Sequence, residues 1–173
     1  MSEKIAVAEK QLVVFNLGAE AYAVDIGMVK EIIQIQPVTR VPGVSLNVEG
    51  VINLRGLVIP VVNLRKRFQM KQVESNKETR IVVVSCKEME VGVIVDSVAE
   101  VLRIPISSIE SASSLFADGN LEHILGIVKL ADKLVIMLNM DRILSHQDIT
   151  AVNALEPLKN EKVGPAGKEH ALV

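Results

Sequence analysis

Residues 50 to 64, GVINLRGLVIPVVNL, lie without a gap on residues 126 to 140, GIVKLADKLVIMLNM, Gly50 over Gly126 and Asn63 over Asn139, at an offset of 76. The likeness continues upstream. Val13-Val14-Phe15 resembles Ile81-Val82-Val83, and Val24-Asp25 with Val29-Lys30-Glu31-Ile32 resembles Val95-Asp96 with Val98-Ala99-Glu100-Val101. Two copies are too few for a solenoid, so the duplication predicts a pair of similar modules packed together. Among the positions where the copies differ is the turn that carries Arg55-Gly56 in the first and Ala131-Asp132 in the second.

Within the first copy, Asn53-Leu54-Arg55-Gly56 has the residues of a hairpin turn, Asn at its first position and Gly at its last. Val51-Ile52 and Leu57-Val58-Ile59 flank it with side chains that suit a pleated surface. From Leu57 to Val62 there is no polar side chain, so neither face of this strand is built for water. Pro60 has no amide hydrogen for a ladder and therefore predicts an edge strand or a bulge. An edge that is apolar on both faces is either covered by the chain's own loops or offered to another protein.

The rest of the chain reads as short strands with turn signals every eight to twelve residues, roughly five strands per copy. QLVVFNL (11–17), Ala21–Asp25, Lys30–Gln36, Thr79–Lys87, Met89–Val95, Val98–Ile104 and two strands within Leu121–Leu138 are the main ones. Pro37 and Pro42 bracket a connection that is not regular helix, and residues 71–79, KQVESNKET, form a polar linker between the copies. Asp141–Val152 has helical spacing, and residues 153–173 read as a disordered tail. Hydrophobic residues are 49% of the chain but aromatics only 2%, so Val, Ile and Leu must fill the core. The fold class is all-β, and five strands per module suit a small closed barrel, which removes most edges.

Chemistry is sparse. His123, His146 and His170 are far apart without partner ligands, so no metal site and no cofactor is expected. Glycine-rich phosphate loops are absent, and nothing resembles an active site. A net charge of -2 and the short cluster Arg65-Lys66-Arg67 give no basic stripe for nucleic acid, and Phe15, Tyr22, Phe68 and Phe116 are scattered along the chain. No apolar run approaches the ~20 residues of a membrane span and no signal peptide precedes the first strand, so a cytoplasmic protein with no direct membrane insertion is expected. Cys86 reads as a buried thiol. Asp25 and Asp96 follow equivalent strands and read as caps of the turns beginning at Ile26 and Ser97. Glu31 and Arg55, each set among apolar neighbours, are either a latch between the hairpin and the preceding strand or two unrelated surface charges. Leu115 and Phe116 stand in a polar loop, where they either plug a barrel end or meet a partner.

Leu12-Val13-Val14-Phe15, Tyr22-Ala23-Val24-Asp25-Ile26, Val29-Lys30-Glu31-Ile32, Gly50 to Gly56 and Ile59-Pro60-Val61-Val62-Asn63-Leu64-Arg65 together resemble the CheW family of bacterial chemotaxis coupling proteins, over about residues 10 to 150. Asn63 departs from the family, which commonly has Asp there, and the tail after Leu155 has no clear counterpart. The resemblance implies two side-by-side SH3-like five-stranded barrels with short helical turns and a C-terminal helix, sharing the first strand in part. A domain over 11–150 would then divide into a first barrel at about 18–72 and a second at about 79–140 plus strand 11–17. It also implies a non-enzymatic adaptor joining cytoplasmic chemoreceptor tips to the regulatory domain of the histidine kinase CheA, recruited to receptor arrays at the inner membrane face. Carried over by position, a receptor groove would use Val29, Gly50, Arg55, Val98 and Val101, and the kinase would meet Val38, Arg40, Val41 and, on the second barrel, Leu115. Val29 and Val101 also read as ordinary core and Gly50 as a turn. A related scaffold in another signalling complex and a small-ligand-binding β-barrel are the alternatives.

Overall fold

The computed structural model describes residues 8–44, 46–86, 88–115 and 122–143. Eleven strands form two sheets. From the first copy come β1 (Glu9–Leu17), β2 (Glu20–Asp25), β3 (Val29–Gln34), β4 (Val48–Leu54) and β5 (Leu57–Asn63), followed by the helical turn α1 (Leu64–Arg67). From the second come β6 (Arg80–Cys86), β7 (Met89–Val95), β8 (Ser97–Pro105), β9 (Ile109–Ser111), α2 (Ala112–Leu115), β10 (Ile124–Lys129) and β11 (Leu134–Leu138). The expected C-terminal helix is described only as far as a 3-10 turn at Met140–Arg142; its remainder, His146 and the tail lie outside the described residues.

The strand order is β8-β1-β2-β11-β10-β9 in one sheet and β3-β6-β7-β5-β4 in the other. Each copy therefore gives its first hairpin away. β1–β2 completes the sheet of second-copy strands, and β6–β7 completes the sheet of first-copy strands. The exchange is reciprocal in register as well. β3 runs antiparallel to β6 as β8 does to β1, and β5 lies parallel to β7 as β11 does to β2. This corrects the division at 18–72 and 79–140 plus 11–17: β2 stays with β1 in the six-stranded sheet, and β6–β7 joins the other. Strand β1 is paired within one sheet and not shared. At one of the two junctions Asp96 alone separates β7 from β8, fewer residues than the two-residue loops of the commonest hairpins, and β8 runs on into the other sheet; at the other, the 3-10 turn Ile26–Met28 carries the chain from β2 across to β3.

Three apolar clusters follow. Leu12, Val14, Ala23, Val128, Val135 and Met137 fill the inside of the six-stranded sheet. Ile52, Ile59, Val61, Ile81 and Val83 fill the inside of the five-stranded one. Between the sheets, Val13, Phe15, Leu17 and Val24 meet Val62, Val82, Val84, Val91 and Val93. Alternate residues of β1 and of β6 thus point into a barrel and into the seam, which is why QLVVFNL and IVVVSC carry apolar runs instead of the in/out alternation of a half-exposed strand. The same holds for β5. It is not an edge, because β7 and β4 flank it, so of the edge or bulge expected at Pro60 the edge is not formed, whether covered or open. Val51, opposite Pro60, directs both its N–H and its C=O to Thr39 at 2.8 Å. The Val51–Pro60 pair is consequently a non-hydrogen-bonded one, and pairing with β7 starts only at Val61, so no ladder needs the missing proline amide.

Gly50 lies inside β4, not in a turn. A Cβ there would stand 2.0 Å from the Thr39 carbonyl oxygen, and its φ is +151°. Gly126, its counterpart, is as closely approached by Glu110, whose carbonyl oxygen would be 2.5 Å from a Cβ. Both glycines sit at a bulge where a third segment crosses the hairpin, Thr39 in one half and β9 in the other. The scattered aromatics come together in space. Phe15, Tyr22, Phe68 and His123 stack in series with centroids 6.1, 5.5 and 5.6 Å apart, joining the six-stranded sheet to the end of α1.

Candidate functional site

The tip of the β4–β5 hairpin is the two-residue turn Arg55-Gly56, with φ of +53° and +88° and the Gly56 N–H donating to Asn53 Oδ1 at 2.8 Å. Both central residues are left-handed, as a type I′ turn requires, and that geometry favours Asn or Gly where Arg55 stands. Its guanidinium, 71% exposed, pairs with the Glu31 carboxylate on β3. Since β3 and the hairpin belong to opposite edges of the five-stranded order, this latch bridges the two edges as the sheet curls. The two charges are therefore partners, not unrelated surface groups.

A second latch escaped the sequence reading. Glu100 on β8, the counterpart of Glu31, pairs at 3.4 Å with Lys133 in the β10–β11 turn. The signal was present in the repeated Val-x-Glu-hydrophobic segment, but its cation stands two residues past the position equivalent to Arg55. Beside the latches, the aliphatic counterparts Ile32 and Val101 are both exposed, at 40% and 52%, as is Leu57 at the hairpin tip at 50%.

The other expected contact residues are distributed as follows. Val29 and Val98 are half-buried at the rim of the seam, packed on the cluster between the sheets. The seam itself is filled by that cluster and leaves no open cleft between Val29 and Val98. Gly50 is buried and shapes the Thr39 crossing without presenting surface. Val38 packs on the core of the five-stranded sheet, Val41 is half-buried and Arg40 is exposed, in a segment tied to β4 through Thr39. Leu115 ends α2, while Phe116 lies outside the described residues.

Asp25 caps the turn at Ile26–Met28 by accepting from the Gly27 N–H at 2.9 Å, and it also pairs with Lys10 at 2.8 Å. Asp96 does not act as the expected cap at Ser97. It accepts from the Gly18 N–H at 2.7 Å and from Arg65 through both carboxylate oxygens, at 2.9 and 2.5 Å, so one carboxylate ties the β1–β2 turn, α1 and the β7–β8 junction together. The Arg65 bonds, with help from Gly18, hold its carboxyl below the usual carboxylate range. The basic cluster is divided among neighbours, Lys66 to Glu49 at 2.7 Å and Arg67 to the Ile143 carbonyl. Asn63 Oδ1 caps α1 through the Lys66 N–H, and Asn139 caps the equivalent 3-10 turn. A polar cavity of about 310 Å³ lies under the linker between Glu49, Lys66, Gln72 and Asp96, its ion pairs already satisfied internally. Among the described residues no three His, Cys, Asp or Glu are grouped to hold a metal, and no helix is long and apolar enough to cross a membrane.

Comparison with known proteins bears on both modules at once. The CheW-like domain family matches residues 11–148. The chain is 37% identical to the chemotaxis protein CheW of Bacillus subtilis over 147 residues, 85% of this chain and 94% of that one. It is 35% identical to that of Thermotoga maritima over 80% of this chain and 90% of the other. Protein PilI of Pseudomonas aeruginosa matches at 29% identity over 94 residues, 54% of this chain and 53% of that protein. The crystal structure of the scaffolding protein TtCheW from Thermoanaerobacter tengcongensis superposes with a TM-score of 0.74 at 34% identity, covering 82% of this chain and 96% of that one.

Proposed function

The chain belongs to the CheW-like domain family, and on that premise we propose that it is a non-catalytic chemotaxis scaffold holding CheA and the cytoplasmic tips of chemoreceptors in one assembly. The observation that carries this reading is a match running through both modules and their connecting linker. In this reading the chain works in the cytoplasm and is recruited to receptor arrays. The receptor tip lies along the rim formed by Val29, Val98, Val101 and the Arg55 hairpin. CheA meets the strip Val38–Val41, with Leu115 as a second contact, and Gly50 serves the receptor rim and the strip by holding the backbone between them.

Energetics favour weak individual contacts. Ile32, Leu57 and Val101 are already about half covered, so completing their burial yields about 1 kcal/mol each. Association costs roughly 4 to 15 kcal/mol. Charge-assisted bonds at Arg55 and several contacts made together must supply the rest, which places each pairwise affinity near micromolar. The test mixes the purified chain with a receptor cytoplasmic fragment and CheA and follows kinase output. Receptor-dependent change in that output is expected; no change, or a single isolated contact of nanomolar strength, would sink the proposal. A second reading is a scaffold of the same fold in another signalling complex, which the same assay separates by giving no response with chemoreceptor fragments.

A further inference from the structure

We infer that this chain takes a second copy of itself as a partner by exchanging halves across residues 71–78, giving a dimer in which each two-sheet body is made of both chains. The inference is independent of the adaptor reading. It starts from what each half has on its own. Residues 8–70 contain the hairpins β1–β2 and β4–β5, while β3 has its ladder partner, β6, in the other half. Residues 79–143 contain the hairpin β6–β7 and the meander β9–β10–β11, while β8 pairs only with β1. Isolated hairpins are marginal in water. Beyond that meander, the pairings that join these pieces into the two sheets, β1 with β8, β2 with β11, β3 with β6 and β5 with β7, run between the halves, as does the cluster in the seam.

Those pairings are indifferent to which chain supplies the other half. What distinguishes the closed monomer from the exchanged dimer is the covalent link, residues 71–78. All eight are exposed, and the bonds to the stretch lie near its ends, from Arg65 to the Lys71 carbonyl, from Asn63 to Gln72, from Gln72 to the Met70 carbonyl, within Asn76–Thr79 and from Arg80 to the Lys77 carbonyl. A flexible link of this length sets an effective concentration of the order of mM. The monomer therefore dominates at micromolar concentration and the exchanged dimer appears as chains fold near mM. Once formed it persists, because reversal requires both seams to open.

Two arms test it with the full chain. In the first, a protease site replaces residues 73–77 and the folded protein is cut. The two pieces are expected to co-elute and keep their β circular dichroism, and to melt in one transition whose midpoint rises with concentration. Pieces that separate while either retains a sheet would overturn the inference. In the second, equal amounts of isotopically light and heavy chain are unfolded together, refolded at ~10 µM and ~1 mM, and examined by native mass spectrometry. Monomer is expected at the lower concentration, and at the higher a dimer that includes the mixed species and survives dilution. Exclusive monomer at both concentrations would overturn the inference even if the cut protein precipitates.

Discussion

Replacing Gly50 by Ala should be the most damaging single-methyl change among the described glycines. The new Cβ would stand 2.0 Å from the Thr39 oxygen, 2.8 Å from its carbonyl carbon and 3.0 Å from Arg40 Cα. A carbon and an oxygen rest no closer than about 3.3 Å, so the 38–41 segment must retreat by more than about 1 Å and both 2.8 Å bonds between Thr39 and Val51 break. Two hydrogen bonds at about 1 kcal/mol each, with about 1 to 3 kcal/mol for an Ala at φ +151°, give a loss of roughly 3 to 5 kcal/mol from a total of roughly 5 to 15. Gly126→Ala faces a 2.5 Å contact with the Glu110 oxygen but no left-handed backbone, so about 2 kcal/mol is expected. Gly43, at φ +88° with nothing within 4 Å, is the control for backbone strain alone, at about 1 kcal/mol. Urea unfolding of the three variants at unchanged m-value measures the series. A Gly50→Ala protein within about 0.5 kcal/mol of the Gly43→Ala one would refute the close-approach argument. In the coupling assay, Gly50→Ala should weaken CheA binding, because Val38–Val41 is the segment displaced, before it weakens receptor binding.

Arg55→Glu, beside Glu31 on an exposed hairpin tip, should abolish coupling while leaving the circular dichroism spectrum unchanged; a folded variant that still couples removes Arg55 from the site. Asp96→Asn should cost about 1 to 3 kcal/mol at neutral pH by unmaking a charged bond to Arg65. Because the folded Asp96 carboxyl titrates below its ordinary 3.8, its contribution is complete above that value and is lost as pH falls through it toward the folded pKa, with Asp25 acting in the same direction; unfolding measured between about pH 5 and pH 3 should show a shallower decline in Asp96→Asn. Burial against Phe68, aided by Arg67, lowers the His123 pKa from 6.5. Stability should therefore hold above that pH and decline below it, where the unfolded chain takes up the proton first, and a His123→Phe variant should lose this decline.

The duplication, the hairpins and most strand positions were legible because they are written in local residue patterns: Asn53 and Gly56 at a turn, β-branched runs, Pro105 closing β8. The Glu31–Arg55 latch was half visible as two charges in apolar company. What escaped depends on where strands go after they end. A run apolar on both faces, such as Leu57–Val62, reads alike whether it is a covered interior strand or an uncovered edge, and only the Thr39 crossing shows why Pro60 is tolerated inside. The exchange of hairpins was hidden because both copies carry the same alternation and so fit either sheet. The lone Asp96 between β7 and β8 is its one sequence trace, and by residue type alone an Asp there equally suits a cap. Lys133 was missed because the repeat aligns Ala131 with Arg55, and the cation reaches Glu100 from two residues further on.

A fold in which each repeat completes the other has the form of two like subunits of a symmetric pair joined end to end. Covalent joining leaves each half free to vary alone, as the hairpin turn does, Arg55-Gly56 in one and Ala131-Asp132 in the other.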